Sequence, residues 1–242
     1  MTRTGICLLC RVGSTRLPGK ILRVLAGRTL LEHIVSRIRI GAPECPIVVT
    51  TSVEASDDPL AELAGRLKIP CYRGPLEDVA GRMLACARHY GWDYVVRING
   101  DNLFVDPPTL RAMLDTAAAG TFDLVTNVPG RTFPYGMSVE ILRTSAFAEA
   151  LKKADTPRYR EHVTLWFYDH PDSCRMQAVK NTAAPDGAGL QLAIDTPDDF
   201  ERAGYVLAHL GDRPEEGRMQ DVVRLAREWN AMQQRNGKKH EP

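Results

Sequence analysis

The sequence predicts an α/β protein, a three-layer sandwich with helices on both faces of a mostly parallel mixed sheet. Short unbroken apolar runs alternate with amphipathic stretches along the chain, the pattern of doubly covered strands and the helices that cover them. Helix starts are well marked: Thr156-Pro157 and Thr196-Pro197 each set a capping hydroxyl before a proline at the first helical position. The size agrees, since 242 residues with 44% apolar and 25% charged side chains suit one globular domain.

In chain order, strands are expected at Gly5–Cys10, Pro46–Thr51, Pro70–Tyr72, Asp93–Ile98, Asp123–Thr126, Met137–Leu142, Arg175–Val179 and Leu190–Ile194. Helices are expected at Thr29–Ile40, Asp57–Leu67, Leu76–Tyr90, Pro107–Ala118, Ser145–Ala154, Pro157–Tyr168, Pro197–Leu210 and Asp221–Gln233. Pro129 to Pro134 and Thr182 to Gly189 read as loops. A single domain is expected over 1–235, with 1–122 as its first half, 123–195 adding strands to the same sheet, and a flexible tail at 236–242.

Composition excludes several function classes. Lys plus Arg total 31 and Asp plus Glu total 30, so a net charge of +1 leaves no basic field to coat nucleic acid. No apolar run has bilayer length, and Ile6 to Cys10 is too brief for a signal-peptide core, so a cytoplasmic protein is expected. Cys7 and Cys10 have C-x-x-C spacing, but on a strand residues three apart face opposite ways and cannot share a metal. The cysteines are packing.

The chemistry concentrates in Arg11-Val12-Gly13-Ser14-Thr15-Arg16-Leu17-Pro18-Gly19-Lys20, directly after the first strand. Two glycines let backbone amides approach a ligand, and Arg11, Arg16 and Lys20 surround the turn, which suits a polyphosphate. It is not a P-loop: five residues separate Gly13 from Gly19 where that motif has four, and Ile21 replaces the magnesium-holding hydroxyl. The plain alternative is a solvated loop whose cations serve solubility.

Asp101, in Arg97-Ile98-Asn99-Gly100-Asp101, sits on a glycine turn at the carboxyl end of an inner strand, where it can offer oxygen to a hard cation. A turn aspartate closing on its own backbone is the competing reading. Asp195 ends an expected strand and stands just outside the helix that follows, while Asp198 and Asp199 are most simply partners of that helix's dipole. With the cationic loop, the two aspartates make a polyphosphate–magnesium site.

These motifs resemble the CMP-sugar synthetases, the cytidylyltransferases for ketodeoxyoctulosonate and acylneuraminate, and most of all their SpsF-type spore-coat polysaccharide branch. The resemblance runs through the Gly13–Lys20 loop, Tyr72-Arg73-Gly74, Glu77-Asp78-Val79, Arg97–Asp101, Arg131-Thr132-Phe133-Pro134, Arg160–Thr164 and Asp195–Phe200. It implies a Rossmann-like nucleotidyltransferase fold of GT-A type, a nucleotide-binding half at 1–122 and an acceptor and dimerisation part at 123–195. It also implies transfer of CMP from CTP to a sugar acid, release of pyrophosphate, dependence on Mg2+ and a homodimer. Arg11, Gly13, Ser14, Arg16 and Lys20 would hold the triphosphate; Arg73, Asp78 and Arg82 would face cytosine and ribose. Asp101 and Asp195 would bind the metal, with Lys20 and Arg16 completing the catalytic set. Arg131, Tyr135, Glu140, Arg160 and His162 would meet the acceptor.

The chain departs from the family pattern at Leu9 and Cys10, where a polar residue and alanine are usual. Tyr135 and Ser138 replace frequent aspartates, and Leu165 replaces a proline. Most departures fall on the acceptor side and imply an altered acceptor or a weaker enzyme. Two other classes remain open: a glycosyltransferase using a preformed nucleotide sugar, since Asn99-Gly100-Asp101 differs from Asp-x-Asp by one amide, and a non-catalytic nucleotide-binding protein.

Overall fold

The computed structural model describes residues 2–237. The chain runs β1 (Thr4–Leu9), a small hairpin β2 (Val24–Leu25) and β3 (Arg28–Thr29), α1 (Leu30–Gly41), β4 (Ile47–Ser52), α2 (Asp58–Arg66), β5 (Cys71–Gly74), α3 (Val79–His89) and β6 (Tyr94–Asn99). There follow α4 (Pro107–Ala118), β7 (Leu124–Thr126), β8 (Glu140–Arg143), α5 (Thr144–Lys153), α6 (Pro157–Glu161), α7 (Leu165–Asp169), β9 (Met176–Ala178), α8 (Pro197–His209) and α9 (Met219–Gly237). Helix α9 reaches two residues into the segment expected as a tail, and 238–242 lie outside the described residues.

Seven strands form one sheet in the order β5-β4-β1-β6-β8-β7-β9. Strands β5, β4, β1 and β6 are parallel, β8 is antiparallel to both its neighbours, and β9 pairs parallel with β7. The mixed, mostly parallel sandwich expected from the sequence is therefore the observed architecture.

Strand alternation explains the continuous apolar runs. Ile6 and Leu8 of β1 enter the core on the face covered by α1, α4 and α8, whereas Cys7 and Leu9 enter the opposite core under α3 and α5. Cys7 and Cys10 fall in these separate cores, and all six cysteines are free. A change such as Leu8→Ala would remove fully buried volume and cost about 3–4 kcal/mol.

Helix starts follow the capping signals. Thr29 and Glu32 form a capping box on α1, Thr156 accepts from the Tyr159 amide ahead of α6, and Thr196 and Asp199 form a second capping box on α8. Two expected elements differ. The helix expected at Pro157–Tyr168 is broken into α6 and α7, because His162 leaves helical geometry at ψ 80° and a new helix starts after Thr164, which turns Trp166 and Phe167 into the core. Segment 190–194 is not a strand but an extended chain docked on the loop around Tyr135: the Tyr135 amide donates to Leu190, and Leu192 donates back to Tyr135. Gly136 permits this docking at φ +85°, since a Cβ there would lie 2.3 Å from the Ala193 nitrogen.

Candidate active site

From β1 the chain steps outward to β4 and β5, then crosses back to place β6 on the other side of β1. The sheet thus has a topological switch point between β1 and β6, and ligands of open α/β sheets bind beyond the carboxyl ends at such a point. A cleft of about 450 Å³ opens there, lined by Arg11, Gly13, Ser14, Arg16, Lys20, Arg82, Asp101, His162 and Asp195 among others. Gly100 lets the β6 turn pack on β1, because a Cβ would stand 2.5 Å from Cys10 Cβ.

The loop after β1 closes on Val12. The Val12 carbonyl accepts from the Ser14 amide at 2.9 Å and the Gly19 amide at 3.1 Å, while Leu17 and Ile21 are buried and plug the loop into the core. Lys20 is thereby aimed into the cleft. Its ammonium donates to the Ile194 carbonyl at 2.6 Å and to Asp195 Oδ1 at 3.0 Å, and lies 3.9 Å from Asp101 Oδ2. Arg16 Nη2 stands 3.2 Å from Asp195 Oδ2.

Asp101 and Asp195 therefore converge on one lysine although 94 positions separate them. The route differs from that expected, since Asp195 does not end a strand. Instead the Ile194 amide donates to the Asp101 carbonyl at 3.1 Å, pinning the extended segment beside the β6 turn. Asp199 fixes the far side, where its Oδ2 accepts from the Asp195 and Thr196 amides.

Burial pushes the Asp101 carboxyl above the usual aspartate range, with Lys20 opposing and Asp195 reinforcing the shift. Asp101 Oδ1 is buried without a hydrogen-bond partner. Among the described residues no group of three or more His, Cys, Asp or Glu forms a metal cage. Two carboxylates, one with an unsatisfied oxygen, instead fit a magnesium ion that keeps waters and takes phosphate oxygens from its substrate.

The other expected nucleotide residues divide. Arg82 is buried, lines the cleft and donates to the Pro75 and Leu76 carbonyls; burial lowers its pKa. Arg73 is committed elsewhere, donating to the Ser52 and Glu54 carbonyls and pairing with Asp58 at 2.7 Å. Asp78 caps α3 through the Gly81 amide and pairs with Arg160 at 3.5 Å, and neither residue lines the cleft.

A second cavity adjoins the first and shares Arg97, Asn99 and His162 with it. Arg131, Ser138, Glu140, Arg158, Leu165 and Tyr168 also line it. Glu140 is only 2% exposed; it accepts from Arg97 and, at 2.5 Å, from the Tyr168 hydroxyl. Burial and the Glu140 charge push the Tyr168 hydroxyl pKa upward. The Arg131 guanidinium lies 4.9 Å over the Tyr135 ring, and Arg160 donates to the Leu151 carbonyl away from both cavities.

Arg97, Arg158, Tyr168 and Asp57 were not singled out from the sequence. Arg97 had a signal, being a cation inside an apolar strand and on the same face as Asn99, two residues on. Asp57 had none beyond its place before a helix. It accepts from the Val12 amide at 2.7 Å, across 45 positions.

A family model described as "Cytidylyltransferase" matches residues 6–213. The chain is 29% identical over 235 residues to the spore coat polysaccharide biosynthesis protein SpsF of Bacillus subtilis (strain 168), covering 93% of this chain and 95% of that one. It is 31% identical over 260 residues to the 3-deoxy-manno-octulosonate cytidylyltransferase of Stenotrophomonas maltophilia (strain K279a), covering 88% and 100%. A solved cytidylyltransferase of Leptospira borgpetersenii serovar Hardjo-bovis (strain JB197) superposes with a TM-score of 0.89 at 27% identity, over 96% of both chains.

Proposed function

The chain belongs to the cytidylyltransferase family, and from that premise we propose that it transfers CMP from CTP to an oxygen of a sugar or sugar-acid acceptor, releasing pyrophosphate and giving a CMP-activated sugar. The observation that carries this reading is the meeting of Arg16, Lys20, Asp101 and Asp195 at the switch point, with a second polar cavity alongside. The names of the SpsF and 3-deoxy-manno-octulosonate relatives support a sugar acceptor.

In the reaction an acceptor oxygen attacks the α-phosphorus. A new P–O bond forms as the bond to the β-phosphate oxygen breaks, the electron pair leaves with pyrophosphate, and the acceptor hydroxyl gives up its proton to solvent. No covalent enzyme intermediate is needed, so the protein contributes position and charge. Arg16 and Lys20 take up the charge that accumulates on the departing phosphates. Asp101 and Asp195 would hold Mg2+, which when bound supplies charge neutralisation at the phosphates. The second cavity would seat the acceptor beside Arg97. A homodimer through the segment after Asp123 and a cytoplasmic location, where nucleoside triphosphates are made, complete the proposal.

A pyrophosphate-release screen tests it, using the four nucleoside triphosphates against sugar acids and sugar phosphates with and without Mg2+. CTP with one acceptor class should give pyrophosphate and a CMP-sugar only when Mg2+ is present. Sugar transfer from a preformed nucleotide sugar would make the protein a glycosyltransferase, and tight CTP binding without turnover would make it a non-catalytic binder.

A further inference from the structure

We propose that Asp57 is the positioning residue of the phosphate-binding loop, gripping it through the single amide of Val12 and thereby aiming Lys20. The proposal rests on the CTP reading for its functional consequence, though not for its structural one.

Asp57 is 1% exposed and does not line the cleft. Its Oδ1 accepts from the Val12 amide at 2.7 Å. Its Oδ2 accepts from the Thr51 hydroxyl at 2.8 Å, the Ser52 amide at 3.1 Å and the Ser52 hydroxyl at 2.5 Å. Every contact is a donor facing an acceptor-only group, so ionised Asp57 satisfies all of them at once. Burial alone would raise its pKa, yet the hydrogen bonds outweigh it and the net shift is downward.

Thr51 and Ser52 end β4, so this carboxylate ties the loop to the neighbouring strand. Val12 is the right place to hold the loop. Its own carbonyl accepts from Ser14 and Gly19, and Gly19 precedes Lys20. The buried Leu17 and Ile21 fix how deep the loop sits, but apolar contact is non-directional and cannot fix the loop's rotation. A charged hydrogen bond at the loop's first turn can.

The geometry makes the isosteric amide informative. In Asp57→Asn one side-chain atom becomes a donor, and it must face either the Val12 or the Ser52 backbone N–H, neither of which can turn to accept. The orientation that keeps three donors on the remaining oxygen sets the NH2 against Val12 and frees the loop.

The test compares Asp57→Asn with Ser52→Ala, which removes one donor to the same carboxylate but leaves the Val12 grip in place. Hydrogen exchange of the loop amides and calorimetric titration with Mg2+–CTP are both measured, after thermal melts confirm that the variants fold. Asp57→Asn should speed exchange across residues 13–20 and weaken CTP binding, each by about tenfold or more, the scale of one lost buried hydrogen bond. Ser52→Ala should lower the melting temperature yet leave both within about twofold of wild type. The proposal is overturned if Asp57→Asn leaves loop exchange unchanged, or if Ser52→Ala reproduces both effects, which would make Asp57 a general fold-stabilising acid. Wild-type protein that binds no CTP would sink the functional reading instead, and loop exchange alone would then decide the role of Asp57.

Discussion

The proposed phosphate side of the cleft is placed mainly by main-chain geometry, whereas the proposed acceptor side is built from side-chain ion pairs. On the first side, β1 and β6 run in parallel register to adjacent carboxyl ends, and short backbone bonds at Val12 and Ile194 bring Lys20, Asp101 and Asp195 together. On the second, the antiparallel β8 supplies Glu140, the broken helix supplies Tyr168, and Arg97 joins them across 43 positions. Charges placed in this way keep their positions when one of the charged side chains is itself removed, so a substitution of Lys20, Asp101 or Asp195 reports on chemistry, whereas Asp57 acts on the placement. Side chains that hold one another move together, so a substitution there reports on shape and on which acceptor fits.

The largest effects should therefore come from the phosphate side without loss of fold. Lys20→Ala is expected to lower turnover by about 100-fold or more, the usual scale for a lost transition-state charge partner, with a nearly unchanged melt. Asp101→Asn and Asp195→Asn should each cut turnover sharply and weaken the magnesium requirement. The double change should cost much less than the sum of the two, because groups acting as one unit are non-additive. Asp101→Asn carries a stability readout as well. Burial raises the Asp101 pKa, so the folded state holds its proton more tightly and loses stability as pH rises out of the ordinary aspartate range. The amide removes that cost, and the variant should melt at least as high as wild type near neutral pH. A Lys20→Ala enzyme with a near-normal rate would take the loop out of the mechanism.

This contrast also explains what the sequence disclosed. Parallel strands buried on both faces leave unbroken apolar runs, and ligands of such sheets bind beyond the carboxyl ends, so the loop with Arg16 and Lys20 could be proposed from spacing and placement, and Asp101 only in combination with that loop. The neighbours of Asp195 were misread as a strand, because apolar residues docked on a loop give the same short run as residues in a ladder. The residues proposed for the acceptor came only from the family resemblance. Arg160 and Asp78 pair with each other outside the cavities, and the Arg97–Glu140–Tyr168 set comes from three elements with no local pattern linking them. Asp57 was hidden for the same reason.

Glu140→Gln tests the acceptor side directly. Gln keeps a partner for Tyr168 but leaves the Arg97 guanidinium without its carboxylate, in a place where Glu140 is 2% and the Arg97 side chain 20% exposed. Breaking such a pair should cost about 2–3 kcal/mol of stability, seen as a lower denaturant midpoint. For an acceptor found in the screen, KM should rise about tenfold while CTP affinity holds. If CTP affinity falls in step with acceptor KM, the two sides are not separable in the way their construction implies.

Tyr135 and Ser138 sharpen the comparison further. Tyr135 lines neither cavity itself, but its ring carries the Arg131 guanidinium, which lines the second together with Ser138. Tyr135→Asp or Ser138→Asp should shift preference between acidic and neutral acceptors by about tenfold, by pairing with or repelling the bound anion. CTP binding measured by calorimetry should not move. A collapse of CTP binding with unchanged acceptor choice would assign this loop to the wrong substrate.

The smallest effect on binding should appear at Asp199, the buried acid that serves both a helix and the proposed site. Its Oδ2 accepts from the Asp195 and Thr196 amides and the Thr196 hydroxyl, and Oδ1 pairs with Arg202. Burial raises its pKa, but the Thr196 and Arg202 hydrogen bonds prevail and the folded value lies below the ordinary one. For an acid depressed on folding, the stabilisation is fully present above the unfolded pKa and is lost as pH falls through the folded pKa. Asp199→Asn should therefore cost about 2–3 kcal/mol at neutral pH, the scale of a broken buried ion pair. That difference should close as both proteins are unfolded at progressively lower pH, beginning near the unfolded aspartate value of about 4. Because the same carboxylate holds the Asp195 amide, the variant should also bind Mg2+–CTP a few-fold more weakly, whereas a pure helix cap would leave that titration unchanged. A stability gap that stays constant down to low pH would mean the charge at Asp199 contributes nothing and only its shape is used.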